Sequence, residues 1–220
     1  MNTPSSKEGN LIRYAVYVVS YIIAALLTHL TVFKFGIKMW SLVLLAIIYA
    51  VVFSFIVKRF KKEEHFFENT ESGQFTDYYK LIIIMSIIIG VVRIACNYLQ
   101  LYGMAKIIKL QTYYAGHETD ALFWFLIITL GILLPILQQY LATGFLFNYL
   151  FRGNNKTVAY TGSIFSGLLF SVLNFQFSFG LFIANWIIGI ICALAFLKTQ
   201  KMAVAMYLAA VSGILFVIML

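Results

Sequence analysis

No aspartate or glutamate falls within the long apolar runs of this chain. The eight acidic residues, Glu8, Glu63, Glu64, Glu68, Glu71, Asp77, Glu118 and Asp120, are read as belonging to the amino-terminal tail and the connections. Their absence from the runs argues against proton-coupled transport, which uses intramembrane carboxylates. It also removes any carboxylate pair or glutamate that would activate water there. Cysteine is nearly absent too. Cys96 and Cys192 both lie in apolar runs and read as small buried residues, not as a disulfide or a metal site. His29, His65 and His117 are scattered without metal-ligand spacing, so neither metal nor cofactor is expected. GFLFN is not a nucleophile elbow, and no Ser/His pair stands in the later runs. Charged residues make up only 11% of the chain, against about 25% in an ordinary soluble domain.

What is present is hydrocarbon. Apolar residues make up 62% of the 220, in blocks near the roughly 20-residue length that crosses a bilayer as a helix. Lipid offers the backbone no hydrogen-bond partner, so each span must be helical. The expected fold is an all-α, polytopic membrane bundle forming one domain over 1–220. Seven spans are expected, at 11–33, 39–57, 81–104, 121–150, 157–173, 179–197 and 202–220. The first is too long for a cleaved signal and reads as a retained anchor. Pro135 should kink the fourth span, freeing a carbonyl one turn earlier.

The net charge of +8 orients the chain and does not imply nucleic acid. With the amino terminus inside, eleven basic residues are cytoplasmic: Lys7, Arg13, Lys58, Arg59, Lys61, Lys62, Lys80, Arg152, Lys156, Lys198 and Lys201. Four are outside: Lys34, Lys38, Lys106 and Lys109. That bias follows the positive-inside rule and puts the 58–80 loop in the cytoplasm. Its basic start suits anionic headgroups, and its aromatics (Phe60, Phe66, Phe67, Phe75, Tyr78, Tyr79) suit the membrane interface or a solvated connector equally. The expected setting is a multi-pass cell membrane, with the bilayer itself as one partner.

Polar groups inside the spans are costly and each raises a functional question. They are His29, Arg93, Asn97, Gln138, Gln139, Thr143, Asn148, Asn174 and Asn185. For any single amide, helix-to-helix bonding worth about 0.6–2 kcal/mol is the ordinary role. Arg93 and Asn97 share a face of the third span and are expected to be structural. A buried cation needs a partner, and no acid in the runs offers one.

The segments QQYLATGFLFNYLF (138–151) and FSVLN (170–174), followed by the last run, resemble the CAAX-protease and bacteriocin-processing (CPBP, or Abi) intramembrane endopeptidases. The resemblance covers roughly 121–220. That family's motifs are Glu-Glu-x-x-x-Arg followed by glycine, then Phe-x-x-x-His, then His-x-x-x-Asn or Asp. Here Gln138 and Gln139 stand at the glutamates, Thr143 at the arginine, and Gly144 at the glycine. Phe170 keeps its place and Asn174 replaces the histidine. Ala209 and Gly213 align with the third motif, with Ser212 as an alternative register.

The resemblance implies a fold kept and a reaction lost. In the family a glutamate activates water, while a glutamine amide has no useful basicity near neutral pH. Gln138, Gln139, Thr143 and Asn174, with Phe170, are expected to form a neutral polar pocket between spans four and five. Pro135 and Gly144 are expected to shape it. It would bind a membrane peptide or a protein partner. Bacteriocin self-immunity, or regulation of a cell-envelope or peptide-signalling protein, in a bacterial plasma membrane is the implied setting. Two alternatives stay open. One is an active endopeptidase drawing an acid or base from a loop, such as Glu118 or His117. The other is a channel or transporter component.

Overall fold

The computed structural model describes residues 7–63, 75–153, 155–176 and 178–220. Residues 64–74 of the 58–80 loop, including Glu64, His65, Phe66, Phe67, Glu68 and Glu71, lie outside the described residues. Among the described residues, regular structure is helical throughout and no strand forms.

Helix α1 (Lys7–Leu30) runs on through a π-helical turn at Thr31–Phe35. Helices α2 (Met39–Lys62) and α3 (Tyr79–Leu101) follow. A short helix, α4 (Lys109–Gly116), then precedes a continuous 30-residue rod, Asp120–Tyr149. The rod comprises α5 (Asp120–Leu126), a π stretch (Ile127–Leu133), α6 (Leu134–Gln139), a second π stretch (Tyr140–Phe145) and α7 (Leu146–Tyr149). Helices α8 (Lys156–Leu173), α9 (Phe179–Thr199) and α10 (Met202–Ile218) complete the bundle. Among the described residues six helices are long and apolar enough to cross a membrane, and α10 is a shorter apolar helix. The chain is a multi-pass helical membrane protein.

Periodicity assigns the faces. On α3, Ile87, Val91 and Ile94 are exposed, while Ile82, Ile89, Arg93, Cys96 and Gln100 form the buried stripe. These steps of three, four and seven residues are those of a single helical face. The exposed stripes of α1, α2 and α3 are apolar, as lipid-facing surfaces must be. Helix α10 is instead central. Val204, Ala205, Leu208 and Ala209 are fully buried, and α10 packs on the rod, α9 and α3.

Small residues bring the later helices close together. A Cβ added at Gly189 of α9 would lie 2.7 Å from the Cα of Gly167 on α8. Van der Waals packing of this kind, not apolar burial, drives helix association in lipid. Gly144 does the same between the rod and α2, where an added Cβ would lie 2.7 Å from the Phe60 ring.

The alternation of helices gathers the carboxyl end of α2, the end of the rod and the start of α8 at one basic end. Glu63, which the sequence suggests is a loop residue, is buried there. The hydroxyls of Tyr17 on α1 and Tyr149 on α7 both donate to its Oε1. At the opposite end, the hydroxyl of Ser178 donates to the Lys106 carbonyl at 2.7 Å.

Candidate functional site

The site begins with a proline. Pro135 has no N–H to give the Gly131 carbonyl four residues back. The preceding π stretch takes up the register, and the Leu134 N–H donates five residues back, to the Thr129 carbonyl. The rod therefore changes pitch without breaking. Gly213 of α10 lies against this segment: a Cβ there would be 2.5 Å from the Gly131 oxygen and 2.8 Å from the Leu130 oxygen.

One turn beyond Pro135, the two glutamines diverge. Gln138 points toward α1 and the end of α8. Its Nε2 donates to the Tyr21 hydroxyl at 2.7 Å and to the Leu173 carbonyl at 3.2 Å. The Tyr21 hydroxyl in turn donates to the same carbonyl at 2.8 Å. Leu173 is the last residue of α8, where carbonyls lack partners within the helix. Two side chains from other helices thus cap it. Asn174 completes the helix end by donating its Nδ2 to the Phe170 carbonyl at 2.9 Å.

Gln139 turns to the rod–α8 contact. Its Oε1 accepts from the Thr143 hydroxyl at 2.7 Å, and the Thr143 and Ser166 hydroxyls share a bond of 3.2 Å. Gln139, Thr143 and Ser166 are all fully buried. Phe170 is buried in the α8–α9 contact, with Gly189 against its Cβ. The four polar motif residues are therefore not gathered at one place. Gln138 and Asn174 line a cavity of about 440 Å³, together with Tyr21, Pro135 and Gly213. Gln139, Thr143 and Phe170 do not line it.

Arg93 of α3 also lines this cavity. Its Nε and Nη2 donate to the Ser212 hydroxyl at 3.1 and 2.8 Å, and Nη2 also donates to Asn185 Oδ1 at 2.8 Å. The Phe216 ring lies 5.4 Å from its Cζ, within cation–π reach. Asn185 passes the polar chain on, donating its Nδ2 to Gln176 Oε1 at 3.1 Å. Asn97 is half-buried and does not join these bonds. Ser212 thus takes up Arg93 beside the third-motif position, while Ala209 is fully buried.

The cavity's chemistry is one-sided. Among the described residues no aspartate or glutamate lines it, and the titratable ones that do are Tyr21, His29, Arg93 and Lys109. Three buried polar atoms near the motif positions lack a hydrogen-bond partner among the described residues: Gln138 Oε1, Gln139 Nε2 and Arg93 Nη1. Tyr21 was not singled out in the sequence. A tyrosine within a span signals little alone, since its body is as apolar as phenylalanine. His117 and Glu118, offered by sequence as loop-borne groups, do not line the cavity. His117 instead stacks on Tyr113, with Nδ1 3.0 Å from the Tyr113 carbonyl.

The family model described as type II CAAX prenyl endopeptidase Rce1-like matches residues 120–218. That stretch takes in the rod, α8, α9 and α10, and so every motif position named above. No curated protein and no solved structure matches the chain. This match, over a little under half of the chain, supports a likeness to the CAAX-protease (CPBP) family of membrane proteins.

Proposed function

We propose that this protein is a non-catalytic member of its family that binds a membrane peptide or a protein partner at the cavity beside Gln138. The observation that carries this reading is the donation from Gln138 Nε2 to the Leu173 carbonyl. An ionised carboxylate accepts hydrogen bonds and gives none. A glutamate here would put its charge against the Leu173 oxygen and would leave α8 with one cap fewer. This donation supports an amide, and not a base, as the working group at 138. Immunity to a bacteriocin-type peptide, or regulation of a cell-envelope or peptide-signalling protein, fits such a binding role.

A test is to incubate the purified protein with candidate membrane peptides and follow their masses. Intact peptides are expected, together with saturable binding that competes between related peptides. Turnover that disappears when Gln138 or Gln139 is changed would defeat the reading. The endopeptidase alternative looks to a loop for its acid or base, to Glu118 or His117; neither lines the cavity, and the imidazole that does is His29. Turnover lost in His29→Ala and kept in the glutamine variants would favour it.

A further inference from the structure

We infer that the cavity beside Arg93 holds the charged end of an anionic amphiphile, a phosphate or carboxylate carried on an alkyl chain. Such a ligand is a resident lipid that the peptide or partner proposed above must displace. The inference rests on that reading only for the displacement; occupancy itself stands on the charge balance.

Arg93 is 4% exposed, and its guanidinium does not deprotonate in proteins. The side chains bonded to it are neutral: Ser212, Asn185 and the Phe216 ring. Among the described residues no acid lines the cavity, whereas Lys109 adds a second cation to the wall. A buried charge with only neutral partners is costly to hold, and an anion is the complement that removes the cost. Hydrogen bonding points the same way. Among the described residues Arg93 Nη1 is a buried donor without a partner, and Gln138 Oε1 is a buried acceptor without one. Both residues border the same cavity. A charged oxygen suits the first, and a hydroxyl on the same head, as in a phosphate monoester or a hydroxylated headgroup, suits the second.

The walls identify the rest of the ligand. Ile22 and Leu26 of α1 line the cavity and also stand on the exposed, apolar face of that helix, at 40% and 55% exposure. The cavity is therefore bordered by surface that faces hydrocarbon. An alkyl chain has a route in from the bilayer, and its charge ends at Arg93. A volume of about 440 Å³ falls in the roughly 300–1,000 Å³ range of small-molecule sites.

The full-length protein, freed of lipid in an uncharged detergent, is titrated with dodecyl phosphate, laurate, monolauroylglycerol and inorganic phosphate and read by native mass spectrometry. One dodecyl phosphate or laurate should bind per chain. Preference between these two assigns phosphate or carboxylate. Arg93→Gln should weaken binding by about tenfold or more, the scale of one lost charged contact, while Arg93→Lys keeps most of it. Equal binding of monolauroylglycerol by the wild type would overturn the proposal, and this comparison needs no variant to fold. Full displacement by equimolar inorganic phosphate would overturn the amphiphile. Folded Arg93→Gln that binds as wild type would do the same. A peptide recovered in place of lipid from the membrane-extracted protein would overturn this inference yet support the proposed function. Lipid release without peptide binding would leave the inference standing and sink the proposed function.

Discussion

Gln138 and Leu173 stand 35 residues apart, on the rod and at the end of α8, and the amide of one donates to the carbonyl of the other at 3.2 Å. Gln138 acts here as a helix cap. One side chain cannot both donate to a carbonyl and remain an ionised base.

Gln138→Glu should therefore destabilise the protein and create no peptidase. Removing the donor and burying a carboxylate beside a carbonyl should cost about 1–3 kcal/mol, the range for an unsatisfied buried group. Thermal unfolding in detergent reads the loss. Gln138→Met, which keeps the volume without the charge, should cost less than the glutamate.

The motif glycines should differ in tolerance. At Gly144 the obstacle is the edge of the Phe60 ring, a side chain that can turn aside. At Gly213 it is backbone, the carbonyls of Gly131 and Leu130. Gly213→Ala should lower stability by about 2–3 kcal/mol and Gly144→Ala by about 1 kcal/mol, within the usual span for overpacking. Equal unfolding temperatures for the two variants would contradict the packing described.

Phe175 occupies a left-handed conformation, with φ of 53°, just past the end of α8. Glycine is the residue that ordinarily closes a helix this way. A bulky side chain there costs about 1–2 kcal/mol of strain. The ring is 45% exposed, lines the cavity and stacks on Tyr21. Phe175→Gly should leave the unfolding temperature nearly unchanged, as relieved strain offsets lost packing. It should also speed exchange of whatever occupies the cavity. A large drop in stability would show that the ring, not the backbone, governs this turn.

The basic end should face the cytoplasm. Cys96 and Cys192 are both buried and free, so a cysteine-free background is obtained by replacing them with alanine. In intact cells an impermeant thiol reagent should label Lys106→Cys and spare Lys156→Cys. The reverse pattern would invert the topology.

The spans were legible in sequence because hydrocarbon length is a local property. The expected runs at 39–57 and 179–197 lie within α2 and α9. Helix α4 was not legible: eight residues of mixed character in a connection, Lys109–Gly116, carry no such signal. Arg93 could be flagged as a cation in need of company, but its partners Asn185 and Ser212 lie 92 and 119 residues away. Pairings at that separation are set by how the helices pack. Glu63 shows the same limit. It follows α2 by one residue and reads as loop, yet hydroxyls from α1 and α7 receive it. The motif register singled out Gln138 and Gln139. It did not tell that adjacent glutamines, about 100° apart around a helix, would serve separate surroundings.

The contact of Gly213 with Gly131 reaches beyond stability. Any larger residue at 213, an amide or an acid included, means driving a Cβ to 2.5 Å from a backbone oxygen. An acid at 138 removes one of the two caps on α8 and leaves that of Tyr21. Each of these substitutions is expected to be harmful taken alone. The close approach of two glycines restricts position 213 to the smallest side chain.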